Sequence, residues 1–215
     1  MNRTIILKAV IVLFISVFAF GVENDILGNS RQKTSGGDQL RLMDYGLSVN
    51  GIYSMPSGSI VNAMNGALGG SITIMDHNVL YFLLPKLSIG LSGDYINYTC
   101  KAGSGNSFQT INSKILGKYD LSFNDIPGSF FVEGGGGVSF ETLTLLGSEY
   151  YNIDPLFQIG IGYETGLNEN FTIQVGINYM FVPESYISAL SRDGAFINIS
   201  LGINYEFQLG GGRRK

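Results

Sequence analysis

Along residues 195–207 (AFINISLGINYEF) every second position is apolar: Ala195, Ile197, Ile199, Leu201, Ile203, Tyr205 and Phe207. Between them lie Phe196, Asn198, Ser200, Gly202, Asn204 and Glu206, which apart from Phe196 are polar or glycine. A strand turns successive side chains to opposite faces, so this stretch predicts one apolar and one polar face. It is long for a strand of a soluble protein. It suits a tilted strand crossing a bilayer, which takes about 9–11 residues.

The same alternation recurs upstream. Residues 43–53 set Met43, Tyr45, Leu47 and Val49 against Asp44, Gly46, Ser48 and Asn50. A second strand covers 68–84, with Ile72 and Ile74 outward. Asp76-His77-Asn78 interrupts it, and a bulge near 75–78 is preferred to a turn there because Pro85-Lys86 makes the better turn. Further strands are predicted over 87–98, 110–123, 129–142, 155–165 and 171–182, each with Ile, Leu, Val, Phe or Tyr alternating with Ser, Asn, Gln, Gly or charge. The fifth holds four glycines, Gly134–Gly137, which suit a bend or room for large neighbours; no Lys-Ser/Thr follows that would support a phosphate loop.

Counting 195–207, the strands number eight. Longer connections follow strands 1, 3, 5 and 7 (56–67, 99–109, 143–154 and 183–194), and shorter ones follow 2, 4 and 6. Even strand number with alternating long and short connections is the pattern of an outer-membrane barrel. With both ends periplasmic, Tyr45, Tyr119, Phe123, Phe130, Tyr163, Phe171, Tyr205 and Phe207 fall at the periplasmic rim. Tyr53, Tyr95, Phe140, Phe157, Tyr179 and Phe181 fall at the outer rim, which gives two aromatic belts.

Composition agrees with this reading. The 215 residues include 30 Gly, 12 Tyr and 14 Phe, no Trp, and only 14% charged residues, a poor composition for a soluble helical protein. The formal charge is −4 and no basic run occurs, so nucleic acid is not an expected partner. Residues 1–21 have the form of a secretory signal: Arg3 and Lys8, the apolar stretch 9–20, and Ala19-Phe20-Gly21 as a small-x-small site. Cleavage there removes two basic residues and leaves 11 against 17 acids, a net charge of −6. Residues 22–42 are polar, of mixed charge, and predict a flexible lead-in. No later apolar run is long enough for a transmembrane helix. For a secreted chain of membrane-like composition that leaves a closed barrel, which satisfies every backbone group in lipid. The single cysteine, Cys100, has no partner for a disulfide and is expected as a free thiol.

At its end the chain reads Ser200-x-Gly202-x-x-Tyr205-x-Phe207. This resembles the C-terminal assembly signal of bacterial outer-membrane barrels. Over residues 43–207 the chain resembles the small eight-stranded outer-membrane proteins, the family of the OmpA transmembrane domain, OmpX and the opacity-type surface proteins. The resemblance implies an all-β, eight-stranded, antiparallel up-and-down transmembrane barrel, outer-membrane lipid around it, and the barrel assembly machinery as a partner. In the family the aromatic of the signal is often the last residue; here a tail, 208–215 (QLGGGRRK), follows.

Candidate chemistry is sparse. An eight-stranded barrel is just wide enough for its side chains to fill. The inward Lys114, Lys118, Glu133, Glu141, Glu164 and Glu206 are therefore expected to form a lumen polar network, with Lys118–Glu133 the best pair, because an unpartnered buried charge costs several kcal/mol in order of magnitude. His77 is the only histidine; it would be the centre of a lipid-modifying activity, but the register puts it in the lower half of strand 2, away from the outer rim. No catalytic set, metal spacing or cofactor site is expected. The loops 56–67, 99–109, 143–154 and 183–194, rich in Ser, Gly, Asn and Tyr, are left as candidate sites for surface ligands. The favoured expectation is a non-enzymatic envelope or adhesion protein. The alternatives are a narrow channel, a lipid-modifying barrel enzyme, and a secreted lipocalin-like binder with its apolar residues inside.

Overall fold

In the computed structural model the chain closes into an all-antiparallel barrel in which each of eight strands pairs with its sequence neighbours and the first with the last. The structure describes residues 44–208 except 78, 80–85, 102, 104, 123–127, 169 and 184–193. The expected signal sequence and lead-in, Phe123, and the tail beyond residue 208 lie outside the described residues. The strands are β1 (Asp44–Ser57), β2 (Ala67–Asp76), β3 (Leu87–Thr99), β4 (Ser107–Ser122), β5 (Ser129–Leu145), β6 (Ser148–Gly166), β7 (Phe171–Val182) and β8 (Gly194–Gln208).

Register fixes the shape. Cα partners followed once round the barrel run Tyr45, Asp76, Ile89, Gly117, Gly134, Ile159, Tyr179, Ile197 and back to β1 at Met55, ten residues up the strand. A stagger of this kind tilts the strands, typically by about 35–45° to the axis, and leaves a bore that side chains can fill.

The apolar face of each strand points outward. Phe157, Ile159 and Ile161 are 57%, 67% and 64% exposed, and Ile72, Ile115, Ile177, Leu201 and Ile203 are likewise bare. A continuous apolar exterior is costly in water and suits lipid. Aromatic side chains border it at the end where β1 begins and β8 finishes, the end assigned above to the periplasm. Phe207 stacks on Tyr45 and on Tyr205 at 5.9 Å between ring centroids, Tyr205 meets Phe171 at 4.9 Å, and Phe130 meets Tyr163 at 5.1 Å. Toward the outer end Tyr53, Tyr95, Phe157 and Tyr179 are exposed, and Phe157 is the register partner of Phe181.

Several expected boundaries change. β2 stops at Asp76 with unbroken pairing to β1 and β3 and no bulge among its described residues; Val79 lies in a turn, and 78 and 80–84 of the expected strand lie outside the described residues. The expected loop 99–109 shrinks, because β3 runs to Thr99 and β4 starts at Ser107. The expected loop 143–154 is almost all strand, and only Leu146 and Gly147 connect β5 to β6. Both have positive φ, 50° and 83°, the backbone of a tight hairpin turn that follows the strands' own twist. In 56–67, β1 extends to Ser57 and a short 3-10 helix, Gly58–Asn62, follows. The long-short alternation of connections therefore fails in part: 77–86 is longer than the β5–β6 turn. Of 183–194, only the two end residues are described.

The misses at the outer end share one cause. Toward the outer end the alternation inverts. Ile96, Tyr98, Phe108, Leu143 and Leu156 point inward and are buried, while Asn97 and Thr99 point outward and are exposed. Polar residues on the outer face there resemble loop composition, although the backbone remains paired.

Candidate functional site

The lumen has two compartments. Toward the periplasmic end it is polar. Lys114, only 5% exposed, places Nζ 2.6 Å from Asp94 Oδ1 and donates to Gln158 Oε1 at 2.7 Å. Gln158 Nε2 donates in turn to Glu133 Oε1 at 2.7 Å, and Asn112 Nδ2 donates to Asp94 Oδ2 at 2.7 Å. One amide thus links an ammonium on β4 to a carboxylate on β5. Lys118 Nζ lies 2.5 Å from Glu164 Oε2 and 3.7 Å from Asp120 Oδ1, with the Phe131 ring centroid 4.6 Å away. Ser129 Oγ donates to Glu164 Oε1 at 3.2 Å.

The expected Lys118–Glu133 pair is thereby corrected. The two are register partners across β4 and β5. Lys118 instead reaches past β5 to Glu164 on β6, while Glu133 accepts from Gln158. Of the six expected network residues, Lys114, Lys118, Glu133 and Glu164 meet here. Glu141 is 2% exposed in the outer compartment, and Glu206 lies near the periplasmic end of β8, its backbone N–H donating to Asn170 O at 2.8 Å. Asp94, Asp120 and Gln158 belong to the network too. Their inward register was legible, but which cation they would meet depended on geometry across the bore.

Neutral groups complete the wall. Gln174 Nε2 donates to Asn50 Oδ1 at 2.6 Å and Asn50 Nδ2 to Ser71 Oγ at 3.0 Å, tying β7, β1 and β2 together. Glycines make the space. A Cβ at Gly135 or Gly137 would overlap the β4 backbone at Ile115 or Ser113 and crowd Leu116 or Lys114, so the glycine run provides room for those β4 residues. A Cβ at Gly202 would strike Asn50 Oδ1, which gives the glycine of the expected assembly motif a packing reason of its own. Ser200, from the same motif, faces inward and its hydroxyl donates to Gly176 O at 3.4 Å, while Tyr205 and Phe207 face outward in the aromatic belt.

The outer compartment is largely apolar, with Glu141, Thr110 and Ser54 buried among its side chains. Ile52, Ile96, Tyr98, Phe108, Leu143, Leu156, Met180, Val182 and Phe196 fill the bore, and Ile60 and Met64 close it from the first outer connection. Tyr98 sits 5.8 Å from Phe108 and 5.1 Å from Phe196 between ring centroids, and its hydroxyl is 2.5 Å from Ser54 Oγ. The 3-10 helix is held by its neighbour connection: Lys101 N donates to Ala63 O at 2.8 Å, Asn65 N to Thr99 O at 3.0 Å, and Lys101 Nζ to Val61 O at 2.8 Å. Met64 bridges Cys100, whose thiol is free and is pushed above its ordinary pKa by burial. The expectation of a polar core throughout the bore thus holds for the lower compartment alone. Inward Ile96, Tyr98, Phe108 and Leu156 were the signal that could have revealed the other.

His77 follows β2 into the lower lumen, its Nδ1 2.7 Å from Ser88 Oγ. Among the described residues no group of three His, Cys, Asp or Glu is placed to hold a metal.

No family model matches the chain, and no curated protein matches its sequence. Solved structures match its fold. Neisserial surface protein A, at 13% identity and a TM-score of 0.59, aligns over 76% of this chain and 97% of its own. Ail, the attachment invasion locus protein of Yersinia pestis, solved in complex with the heparin analogue sucrose octasulfate, aligns at 12% identity and a TM-score of 0.52 over 77% of this chain and 99% of its own. The fold is that of small eight-stranded outer-membrane barrels. With the apolar exterior between aromatic belts, it locates the chain in the bacterial outer membrane.

Proposed function

We propose that this chain, a small eight-stranded outer-membrane barrel, is a non-enzymatic surface protein that holds its outer hairpins rigidly for adhesion or host contact. The observation that carries the reading is the β5–β6 hairpin. β5 and β6 pair as far as Leu145 and Ser148, whereas described pairing between β6 and β7 ends at Phe157 and Phe181. The hairpin tip carries Leu146, 95% exposed, with Tyr150 and Tyr151 also exposed on the strand that follows. Apolar and tyrosine side chains on a paired backbone offer contact area at low entropic cost on binding. The plugged outer half of the lumen supports a display role over transport.

The fold shared with Ail favours attachment as the class of activity. Its sulfated ligand suits this chain less well: the described outer connections and the β5–β6 hairpin tip carry Lys101 but also the exposed acid Glu149, with no basic cluster among the described residues. A protein partner is therefore preferred. The terminal Ser200, Gly202, Tyr205 and Phe207 would serve recognition by the assembly machinery. Replacing Leu146, Tyr150 and Tyr151 by serine on cells displaying the full chain should reduce binding to host-cell monolayers at least fivefold, with surface level unchanged. Equal binding by wild-type, variant and undecorated cells would sink the reading.

A further inference from the structure

The lower lumen encloses a cavity of about 60 Å³, lined among others by Ser48, Asn50, Lys114, Glu133, Gln174 and Asn198. A buried water needs about 10–15 Å³ of such space, so the chamber holds a few waters and no larger ligand. A second observation points to water. Asn198 is 1% exposed and its Nδ2 donates to Asn178 Oδ1, yet its own Oδ1 has no partner among the described residues. A buried acceptor of this kind calls for a donor, and the chamber can supply one as water.

The chamber wall and its surroundings are charged unevenly. Asp94, Asp120, Glu133 and Glu164 face Lys114 and Lys118. Carboxylates are in excess, which favours cations over anions. The lining reaches His77 and Asn204 beside Gly46, at the periplasmic end of β1 and β8. In the other direction it ends under Tyr98, Phe108, Phe196 and Met180, each buried to 1% exposure or less. An apolar plug that excludes water blocks ions without any charge.

We infer that the lower lumen is a hydrated cation pathway that ends blind at the apolar septum, so that the septum sets whether ions cross the barrel. The charge network below it selects the ion but does not close the path. This goes beyond surface display and stands or falls without it.

The test uses the full chain in planar lipid bilayers. The wild type is expected to show no unitary conductance. The double variant Tyr98→Ser, Phe196→Ser is expected to conduct, with a reversal potential in a tenfold KCl gradient on the potassium side. Adding Glu133→Gln should weaken that preference. A folded double variant, verified by heat-modifiable gel mobility, that stays silent or prefers chloride overturns the inference, as does a conducting wild type. A second measurement leaves the septum intact. Ser200→Cys in a Cys100→Ser background should bind silver ion, a thiol-reactive monovalent cation about the size of a water molecule, applied from the periplasmic side of proteoliposomes and not from the outer side. Failure to react from the periplasmic side, or reaction from the outer side, overturns the inference even if the double variant does not fold.

Discussion

The same strands carry two opposite patterns, and the two halves of the lumen differ because of it. Along β3, Ser88, Ser92 and Asp94 fill a polar bore while the outward face meets lipid; two residues further up, Ile96 and Tyr98 fill an apolar bore while Asn97 and Thr99 face outward. The lower half folds as a membrane barrel, inside-polar and outside-apolar. The upper half folds as a soluble barrel does, around an apolar core. What changes is the solvent outside. Where lipid covers the exterior, no hydrophobic gain is left for the interior, and hydrogen bonds and ion pairs must organise it. Above the belt, water lies outside and burial of apolar side chains again drives packing.

Substitutions in each half should behave differently. The largest effect is expected for Phe196→Ala: about 3–5 kcal/mol of lost stability in denaturant titrations followed by circular dichroism in lipid, since paired strands cannot collapse into the space. In the polar half, Lys114→Met should cost about 3 kcal/mol by stranding Asp94, and adding Asp94→Leu should restore most of it, because a buried pair is often replaceable by apolar residues. Asn198→Ala should cost only about 1 kcal/mol, as water takes over its contacts. A cost for Asn198→Ala equal to that for Phe196→Ala would erase the distinction between compartments. The smallest effect is at the hairpin tip. Leu146 holds a φ of 50°, which a residue with a branched apolar side chain adopts at a cost. Leu146→Asn should therefore raise the unfolding midpoint slightly, by about 0.5–1 kcal/mol in stability.

The membrane-embedded part was legible from period-two alternation. β7 matches its expected bounds, and β8 differs by one residue at each end. Lipid imposes a strict rule there, apolar on one face for the full crossing. Above the crossing the rule lapses. Residues 99–109 and 143–154 hold Ser, Gly, Asn and Tyr, which are loop-like by composition, and yet most of 143–154 is paired strand. Local composition could not reveal this, because pairing in that region depends on a partner strand and on an apolar interior contributed by many strands. The Lys118 partner was hidden for a related reason. Register places Glu133 beside it, but a lysine is long enough to reach one strand further to Glu164, and Gln158 bonds the nearer carboxylate.

The sequence by itself determined the number of membrane strands, their inward and outward faces, the aromatic belts and the family of folds. Those features follow from a period of two imposed by backbone geometry and from a solvent that tolerates no polar group on the outer face. Only the tertiary structure decided that the lumen is divided, polar below and sealed by Tyr98, Phe108 and Phe196 above. It also decided which charges meet inside. Both outcomes are set by distances across a closed ring, where residues far apart in the chain are brought within a few ångströms by the stagger of the strands.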